Sequence, residues 1–488
     1  MPQATIDPAL APQHGLLTLR ALEDAGHEAW VVGGWVRDAL RGVAAHDVDV
    51  CTSAPWPQSK VALEAAGFVV HETGTAHGTV TAVVCGEPVE VTTYRIDGAY
   101  TDQRHPDSVT FVTDVREDLA RRDFTVNAMA WHPTRGLLDP FGGAKDVAVG
   151  VIRAVGDPAV RFDEDALRIL RAVRFAARLD FDIEPATQAA LRAAAPTLAG
   201  VAQERIGTEL RGIMVSGRAA WALRHQREVM FAALPELAPM EGFDQRSRYH
   251  CFDVLEHTIC VMEGVEQLTV GKASERLRWA AMLHDIGKPT SFTVDEAGQG
   301  HFYGHPGRGR DISATLLRRL AIPHELANPI LALVRYHDRP CAPKVEPVLK
   351  LTASVAAMSG LKRRDEVLEL MHELVCLRRA DALAKAPAYR IYARELDDHE
   401  AILEKIEREG LCWSTRDLAV SGADVMAACG IAPGPAVGER LSALLADVMA
   451  ERVPNDRLSL LAWLERGERG ARRALLGGYH GLSLRMSY

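Results

Sequence analysis

The sequence predicts an α+β chain whose character changes along its length. Strand-like and helical patterns alternate through the first 150 residues, helical periodicity takes over almost completely beyond Asp163, and clusters of breakers punctuate both parts. In the first part, Thr79–Val84 and Val89–Tyr94 read as strands, and Pro57–Ala66 reads as a helix. In the second part, alanine, leucine and arginine dominate between breakers such as the segment Ala238–Phe243. Breaks near Gly150, near Gly242 and near Ala384–Pro387 divide the chain into 1–150, 151–242, 243–390 and 391–488. The length of 488 residues corresponds to roughly three domains. No internal repeat or low-complexity tract is visible.

Composition narrows the class. With 48% hydrophobic and 25% charged residues, the chain is ordinary globular protein, neither disordered nor collagen-like. Its eight cysteines are scattered without a Cys-x-x-Cys pair, which argues against a disulfide framework and a cysteine zinc site and favours a reducing, cytoplasmic setting. No apolar run approaches membrane-spanning length, and the N-terminal residues lack the basic and apolar regions of a signal peptide, so no membrane partner is expected. A net charge of −9 does not advertise a polyanion partner, so contact with nucleic acid must come from a local basic patch.

The first element with chemistry in it is the apolar run Trp30–Val32, followed by Gly33 and Gly34. These glycines let backbone N–H groups approach a triphosphate closely. Asp47 and Asp49 follow. In an extended strand both point to one face, while Val48 and Val50 turn into the core. Two carboxylates on one face suit Mg²⁺, which prefers a few carboxylates plus substrate phosphate oxygens; two such ions about 3.5–4 Å apart can activate a hydroxyl and stabilise a leaving oxygen. Glu90 is a candidate third carboxylate. Asp-x-Asp by itself is compatible with a strand ending in a solvated turn, so the remaining elements decide.

Arg121, Arg122 and Asp123 form the next constellation. Adjacent guanidinium groups can hold phosphate oxygens, and Asp123 can accept from a ribose hydroxyl. The segment Arg161–Arg178 predicts a helix starting at Asp163, with acidic residues at its positive end. At about 100° per residue, Ile169, Leu170, Val173, Ala176 and Ala177 form a core stripe, and Arg168, Arg171 and Arg178 share the opposite arc. Asp165 stands one turn before Arg168. Cytosine and adenine each offer an amino donor beside a ring-nitrogen acceptor, which an aspartate and an arginine can read together; uracil and guanine present the reverse pattern and would leave buried charge unpaired. The predicted substrates are CTP and ATP.

The chain closely resembles the class II nucleotidyltransferases, the superfamily of bacterial CCA-adding enzymes and poly(A) polymerases. The resemblance rests on Gly33–Gly42 with Asp47 and Asp49, on Arg121–Thr125, on Glu164–Arg168 and on Glu204–Leu210, all in order. It implies a nucleotidyltransferase head of helices packed on a mixed or antiparallel sheet (1–150), then an all-α neck for nucleobase recognition (151–242), an HD body (243–390) and a tRNA-binding tail (391–488). It implies Mg²⁺ at the catalytic Asp47 and Asp49, nucleotide contacts from Gly33, Gly34, Arg37 and Arg122, ribose contact from Asp123, and base selection by Asp165 and Arg168. Arg171 and Arg174 match further nucleotide-contacting positions, and Glu204-Arg205 matches a motif that buttresses the neck helix. Arg41 stands where the family usually has leucine, a departure at a tolerant helix position.

Smaller features bear on the product. Glu72–Val80, Glu90–Arg95 and Asp97–Asp107 resemble the CCA-adding pattern, including its flexible loop, while the basic stretch that marks bacterial poly(A) polymerases is absent after Asp49. An A-adding specialist shares most of these residues and stays open. In the middle of the chain, Leu255–His257, Leu283–Lys288, Tyr303–His305, Arg335–Asp338 and Ala380-Asp381 resemble HD-domain phosphohydrolases. That resemblance implies a divalent metal of unspecified identity on His257, His284, Asp285 and Asp381, with His305 and His337 as phosphate contacts or second-metal ligands. It also implies hydrolysis of phosphoesters, 2′,3′-cyclic phosphates on damaged tRNA ends being one example, and the sequence leaves the natural substrate open. Leu418–Met426, Gly430–Pro435 and Val453–Asn455 resemble the tRNA-binding tail, with a stabilising helical cap as the alternative. The sequence therefore points to template-independent addition of CCA to tRNA from CTP and ATP, with an HD phosphohydrolase whose head merely binds RNA as the competing class. It leaves the oligomeric state and the switch that ends C addition open.

Overall fold

The computed structural model of the chain describes residues 5–98 and 108–466. Most of the loop expected at Asp97–Asp107, and the tail beyond position 466, lie outside the described residues. The chain divides into two compact units, Met1–Ala238 with Arg319–Ala321, and Pro239–Arg318 with Ile322–Tyr488.

The first unit is built on a seven-stranded mixed sheet. Strand β1 (Ala29–Val32) is apolar throughout and buried at every position, and it lies inside the sheet between β2 (Asp49–Thr52) and the strand Ala130–His132, antiparallel to both. Strands β3 (Val69–Gly74), β4 (Thr79–Val84) and β5 (Glu87–Thr93) complete one side as an antiparallel set, and β5 runs parallel to β2. In β4 the expected alternation is present: Val80, Ala82 and Val84 are fully buried while the intervening residues are half-buried. The expected helix at Pro57–Ala66 forms at Trp56–Ala65. Strand β2 begins at Asp49, so Asp47 lies just ahead of it; the alternation holds all the same, with Val48 and Val50 buried and Asp47 and Asp49 exposed. The parallel register sets Asp49 opposite Glu90.

One expectation fails. The helix predicted to start at Asp163 starts at Leu167 and runs to Leu179, while Asp163 closes the preceding helix Pro158–Glu164. Asp165 is extended (φ −142°, ψ 105°), and its Oδ1 accepts from the Leu167 N–H at 3.0 Å. The aspartate side chain thus supplies a local bond that competes with helix continuation, so the acid that sequence periodicity placed inside a helix marks a break. The core stripe is as expected, with Ile169, Leu170, Val173, Ala176 and Ala177 all buried.

The second unit is helical. Its longest element, Arg364–Ala384, packs with Val254–Leu268, Glu275–Leu283, His324–Tyr336 and Val345–Ser359. Beyond Leu396–Glu409, a small separate core forms from Leu418, Val425, Cys429, Leu444, Leu460 and Leu464. No helix among the described residues is long and apolar enough to cross a membrane.

One close approach joins the segment after Arg122 to the helix Gly143–Val149. A Cβ at Gly143 would stand 2.2 Å from the Thr125 carbonyl oxygen and 2.9 Å from Met129 Cγ, and the helix Gly143–Val149 also carries Asp146, which accepts from Thr125 Oγ1 at 2.7 Å. Gly143→Ala is expected to destabilise the first unit by about 1–3 kcal/mol, read as a lower urea midpoint at unchanged slope; an unchanged midpoint would show that the contact yields freely.

Candidate functional sites

A cleft of about 560 Å³ opens in the first unit, lined among others by Gly33, Gly34, Arg37, Asp49, Glu90, Arg122, Asp123, Asp165, Arg168, Arg171 and Arg174. Nearly every head residue singled out from sequence is therefore gathered in one place. Asp47 is not part of the lining, but its charge acts on Asp49. Although Asp49 reaches solvent, the protein around the cleft desolvates its carboxylate and chiefly raises its pKa; Arg122 opposes this, while Glu90 and Asp47 push the same way as desolvation. Three carboxylates, Asp47, Asp49 and Glu90, act on one another beside Arg122 and form a donor set suited to a hard divalent cation.

Gly33 is required by its backbone (φ 74°, ψ −128°) and by crowding, since a Cβ there would lie 3.1 Å from Arg122 Nη1 and 3.9 Å from Asp49 Oδ2. The expected arginine pair is divided. Arg121 gives Nε and Nη2 to Asp118 Oδ1 at 3.0 and 2.7 Å, whereas Arg122 reaches Asp118 Oδ2 at 3.4 Å and the Asn127 carbonyl at 3.5 Å, and its buried Nε has no hydrogen-bond partner among the described residues. Burial raises the Asp118 pKa, but the two guanidinium groups outweigh it and hold the carboxyl below its ordinary range. Asp118 was missed from sequence, although its spacing of three and four residues before Arg121 and Arg122 is the signal that finds it.

The helix Leu167–Leu179 carries the rest. Arg171 donates Nε and Nη2 to Asp123 Oδ2 at 2.9 and 2.7 Å, and Asp123 Oδ1 accepts from Phe124 N–H and from Asn127 Nδ2. Burial raises the Asp123 pKa; the charge and hydrogen bond of Arg171 overcome this and leave it lowered. Arg37 grips Asp38 with Nε and Nη2 and gives Nη1 to Asn127 Oδ1 at 2.7 Å. Arg174 donates Nε to Glu209 at 2.5 Å. The guanidinium carbons of Arg37, Arg171 and Arg174 lie 5.6, 5.4 and 4.4 Å from the Phe175 ring centre.

Asp165 and Arg168 both line the cleft, each held by a different neighbour. Asp165 Oδ2 accepts from Arg205 Nη2 at 2.9 Å. Arg168 pairs with Glu164 and donates to the carbonyls of Arg161 and Arg121 at 3.2 Å each. Arg168 is nearly buried, with a residue exposure of 9%. Glu164, Arg205 and Glu209 went unassigned to side-chain partners at the sequence level because the partners of Arg205 and Glu209 lie 40 and 35 positions away.

The second unit gathers the histidines and aspartates. Four helical segments contribute: His257 from Val254–Leu268, His284 and Asp285 at the end of Glu275–Leu283, His305 at the start of His305–Arg319, and His337 at the end of His324–Tyr336. His257, His284 and Asp285 form one group that could hold a metal ion, and Asp285, His305 and His337 form another. Asp285 Oδ2 faces His284 Nε2 and His257 Nε2 at 3.2 and 3.6 Å, and its Oδ1 faces His305 and His337 Nε2 at 3.4 and 3.7 Å. Asp381, on Arg364–Ala384, bonds His257 Nε2 at 3.0 Å.

Three of the imidazoles are aimed by the backbone. Nδ1 of His284, His305 and His337 rests on the carbonyl three residues earlier, at 2.8, 2.9 and 2.8 Å, so Nε2 is turned toward the centre. Nε2 of His284 is buried with no hydrogen-bond partner among the described residues, which fits a metal ligand. Burial lowers the His257 pKa, favouring the neutral imidazole that ligation needs. Asp285 and Asp381 are held well below the carboxylate range, against the upward push of burial, by His284 and Lys288 and by Lys385 and His257 respectively. Lys288, at 2.6 Å from Asp285 Oδ2, and Lys385, at 2.9 Å from Asp381 Oδ2, were not assigned from sequence.

Comparison with known proteins gives a consistent picture. The family model "Poly A polymerase head domain" matches residues 29–153 and the "HD domain" model matches 249–386. Models for an RNA and SrmB- binding site of polymerase A and for tRNA nucleotidyltransferase domain 2 match 180–240 and 365–464. The chain is 35% identical over 456 residues to a CCA-adding enzyme of Geobacillus thermodenitrificans, covering 93% of this chain and 96% of that one. It is 31% identical over 449 residues to one of Levilactobacillus brevis, covering 91% and 95%. A Leuconostoc mesenteroides CCA-adding enzyme is 48% identical over 205 residues, covering 42% of this chain and only half the length of that relative. Among solved structures, the Bacillus stearothermophilus CCA-adding enzyme in complex with CTP is similar over 96% of this chain and 100% of its own, with a TM-score of 0.70 at 29% identity.

Asp118 and Asp123 both titrate below the ordinary carboxylate value of 3.8, so their ion pairs contribute stability above about pH 4 that is lost as pH falls through the folded-state values. Arg171→Gln removes the main charge opposing burial at Asp123 and is expected to move acid unfolding of the first unit to higher pH, followed by tryptophan fluorescence. An unmoved transition would mean that Asp123 is held by its other partners alone.

Proposed function

The chain belongs to the CCA-adding enzymes, and from that membership we propose that it extends tRNA 3′ ends with CTP and ATP, the protein itself standing in for a nucleic-acid template. The observation that carries this is the gathering of Asp49, Glu90, Arg122, Asp165 and Arg168 around one cleft. Residues 1–150 serve as the catalytic head, 151–242 as the base-reading neck, 243–390 as the HD body and 391–488 as the tRNA-binding tail.

Asp47 and Asp49 are the catalytic carboxylates that would hold Mg²⁺, with Glu90 beside Asp49 in the sheet register. Divalent metal held by these carboxylates would supply activation of the terminal hydroxyl and charge to offset the leaving oxygen. The tRNA 3′-hydroxyl attacks the α-phosphorus, the bond to the β-phosphate oxygen breaks, and pyrophosphate departs. Gly33 and Gly34 allow the triphosphate close to the backbone, Arg37 and Arg122 contact it, and Asp123 with Arg171 and Arg174 borders the sugar. Asp165 accepts from the exocyclic amine of cytosine or adenine while Arg168 donates to the adjacent ring nitrogen. Glu164 and Arg205 restrain these two side chains, which lowers the cost of orienting them when the base arrives. The cytoplasm is the compartment where such a reaction is expected.

A second activity is supported in the other unit. His257, His284, Asp285 and Asp381 would bind one divalent metal, and His305 and His337 with Asp285 would bind a second or contact phosphate. Such a centre supplies an activated water for phosphoester hydrolysis. Lys288 and Lys385 bring positive charge to a bound phosphate.

Asp47→Ala is expected to cut nucleotide incorporation into tRNA lacking CCA by on the order of a thousandfold while leaving phosphoesterase activity in place; retained incorporation would defeat the assignment. Asp165→Ala should reduce discrimination of CTP over UTP from about ten-thousandfold to tenfold or less, measured by single-nucleotide incorporation. Undiminished discrimination would move base selection elsewhere.

A further inference from the structure

Strands β3, β4 and β5 turn one face of the first unit's sheet away from its helices, beside the carboxylates of the cleft. Helices Gln13–Asp24 and Trp56–Ala65 pack on the other face, where Val80, Ala82, Val84, Val89 and Val91 are buried. Glu72 in β3 turns to that helical side, where its carboxylate meets Lys60 at 2.7 Å. Its neighbours His71 and Thr73 therefore point the opposite way, and both are exposed. The register sets Asp49, Glu90, Thr81 and His71 in one row across β2, β5, β4 and β3. Thr92 and Thr79 stand opposite each other in the next row, and Thr92 lines the cleft together with Asp49 and Glu90.

Beyond Glu90 this strip is made of hydroxyls. Thr73 and Thr81 share a hydrogen bond at 2.8 Å, and Thr79 and Thr92 share one at 3.0 Å. Each pair spends one O–H on the other partner and keeps a second O–H and several lone pairs. Donors and acceptors thus lie side by side without charge, which suits the hydroxyls of a sugar. Stereochemistry says whose sugar it is. In nucleotidyl transfer the attacking and leaving oxygens stand in line on opposite sides of the phosphorus. Gly33, Gly34 and Arg37, the groups assigned to the triphosphate, follow β1, which flanks β2 on one side, and β5 flanks it on the other. Pyrophosphate therefore leaves on the β1 side of Asp49, and the attacking hydroxyl arrives over β5. Thr81 is one strand spacing from Glu90, about 4.8 Å, and Thr92 is two residues along β5, about 7 Å.

We propose that Thr81 and Thr92 seat the terminal ribose of the acceptor RNA by hydrogen-bonding its 2′-hydroxyl, and that this seat selects an RNA end over a DNA end. The proposal rests on the nucleotidyl transfer assigned above and names the residues that position its nucleophile. The 2′-hydroxyl neighbours the attacking 3′-oxygen on the same ring, so a bond to it fixes the line of attack. It is also the group by which a protein tells RNA from DNA. Both threonines act through the sugar and touch no part of the incoming nucleotide.

The test measures addition of a single C by the full chain with Mg²⁺ to a tRNA lacking CCA, and to the same tRNA with a 2′-deoxy terminal nucleotide. The unmodified chain is expected to lose about tenfold in kcat/KM on the deoxy end. Thr81→Val combined with Thr92→Val keeps the β-branched shape that strands favour. This variant is expected to lose about tenfold on the ribose end, to lose nothing further on the deoxy end, and to keep its KM for CTP. Thr81→Ser with Thr92→Ser restores the unmodified behaviour. Equal use of both ends by the unmodified chain overturns the seat. So does equal loss on both ends in the valine variant, a raised KM for CTP, or full activity. Absence of incorporation by the unmodified chain defeats only the nucleotidyltransferase function, and the affinities of the two tRNAs for the protein then decide the seat. A preference for the ribose end that the valine variant abolishes supports it; equal affinities, or a preference that persists in the variant, overturn it.

Discussion

The architecture of the first unit turns on the pairing of charge inside a cleft that is too enclosed to leave it bare. Arg37, Arg121, Arg168, Arg171 and Arg174 each meet a carboxylate from Asp38, Asp118, Glu164, Asp123 or Glu209. Such pairs add little net stability, because desolvation consumes much of the Coulomb gain. What they fix is direction. A guanidinium whose donors are already committed to a buried partner loses the freedom to wander, and its remaining donors point where the scaffold aims them. The exception is informative: Arg122 has only long contacts and a buried Nε without a partner among the described residues, and it is the guanidinium that borders Gly33 and acts on Asp49.

The second unit solves a similar problem with backbone instead of carboxylates. Three histidines end or begin helices, where chain geometry lets a ring nitrogen rest on the carbonyl three residues before it. This choice settles the tautomer and the aim of each ring together, and it leaves the acidic groups free to sit at the centre. Asp285 sits among the imidazoles of His257, His284, His305 and His337 and beside the Lys288 ammonium, so its charge has polar company although the residue is almost wholly buried.

How much of this could be read from the chain depended on distance along it. The alternation in β4, the core stripe of Leu167–Leu179 and the burial of Val48 and Val50 are local consequences of strand and helix periods, and sequence carries them directly. The positions of the cleft and cluster residues were legible because their types and order matched a known family. Their partners were not. Arg171 meets Asp123 across 48 positions and Arg205 meets Asp165 across 40, and no periodicity encodes such contacts. The helix start was misplaced for the opposite reason, since Asp165 makes a bond to Leu167 so local that pattern averaging over a turn hides it.

Phe175 has a consequence of its own. Around its ring three cationic side chains converge, drawn by a quadrupole that attracts positive charge without cancelling it. A carboxylate in the same place would have to surrender its partners before an incoming polyanion could use them. The uncharged ring adds no further exchange to the carboxylates that Arg37, Arg171 and Arg174 already meet, so it gathers the three side chains without neutralising the wall any further, and substitution by any acidic residue would deepen that neutralisation.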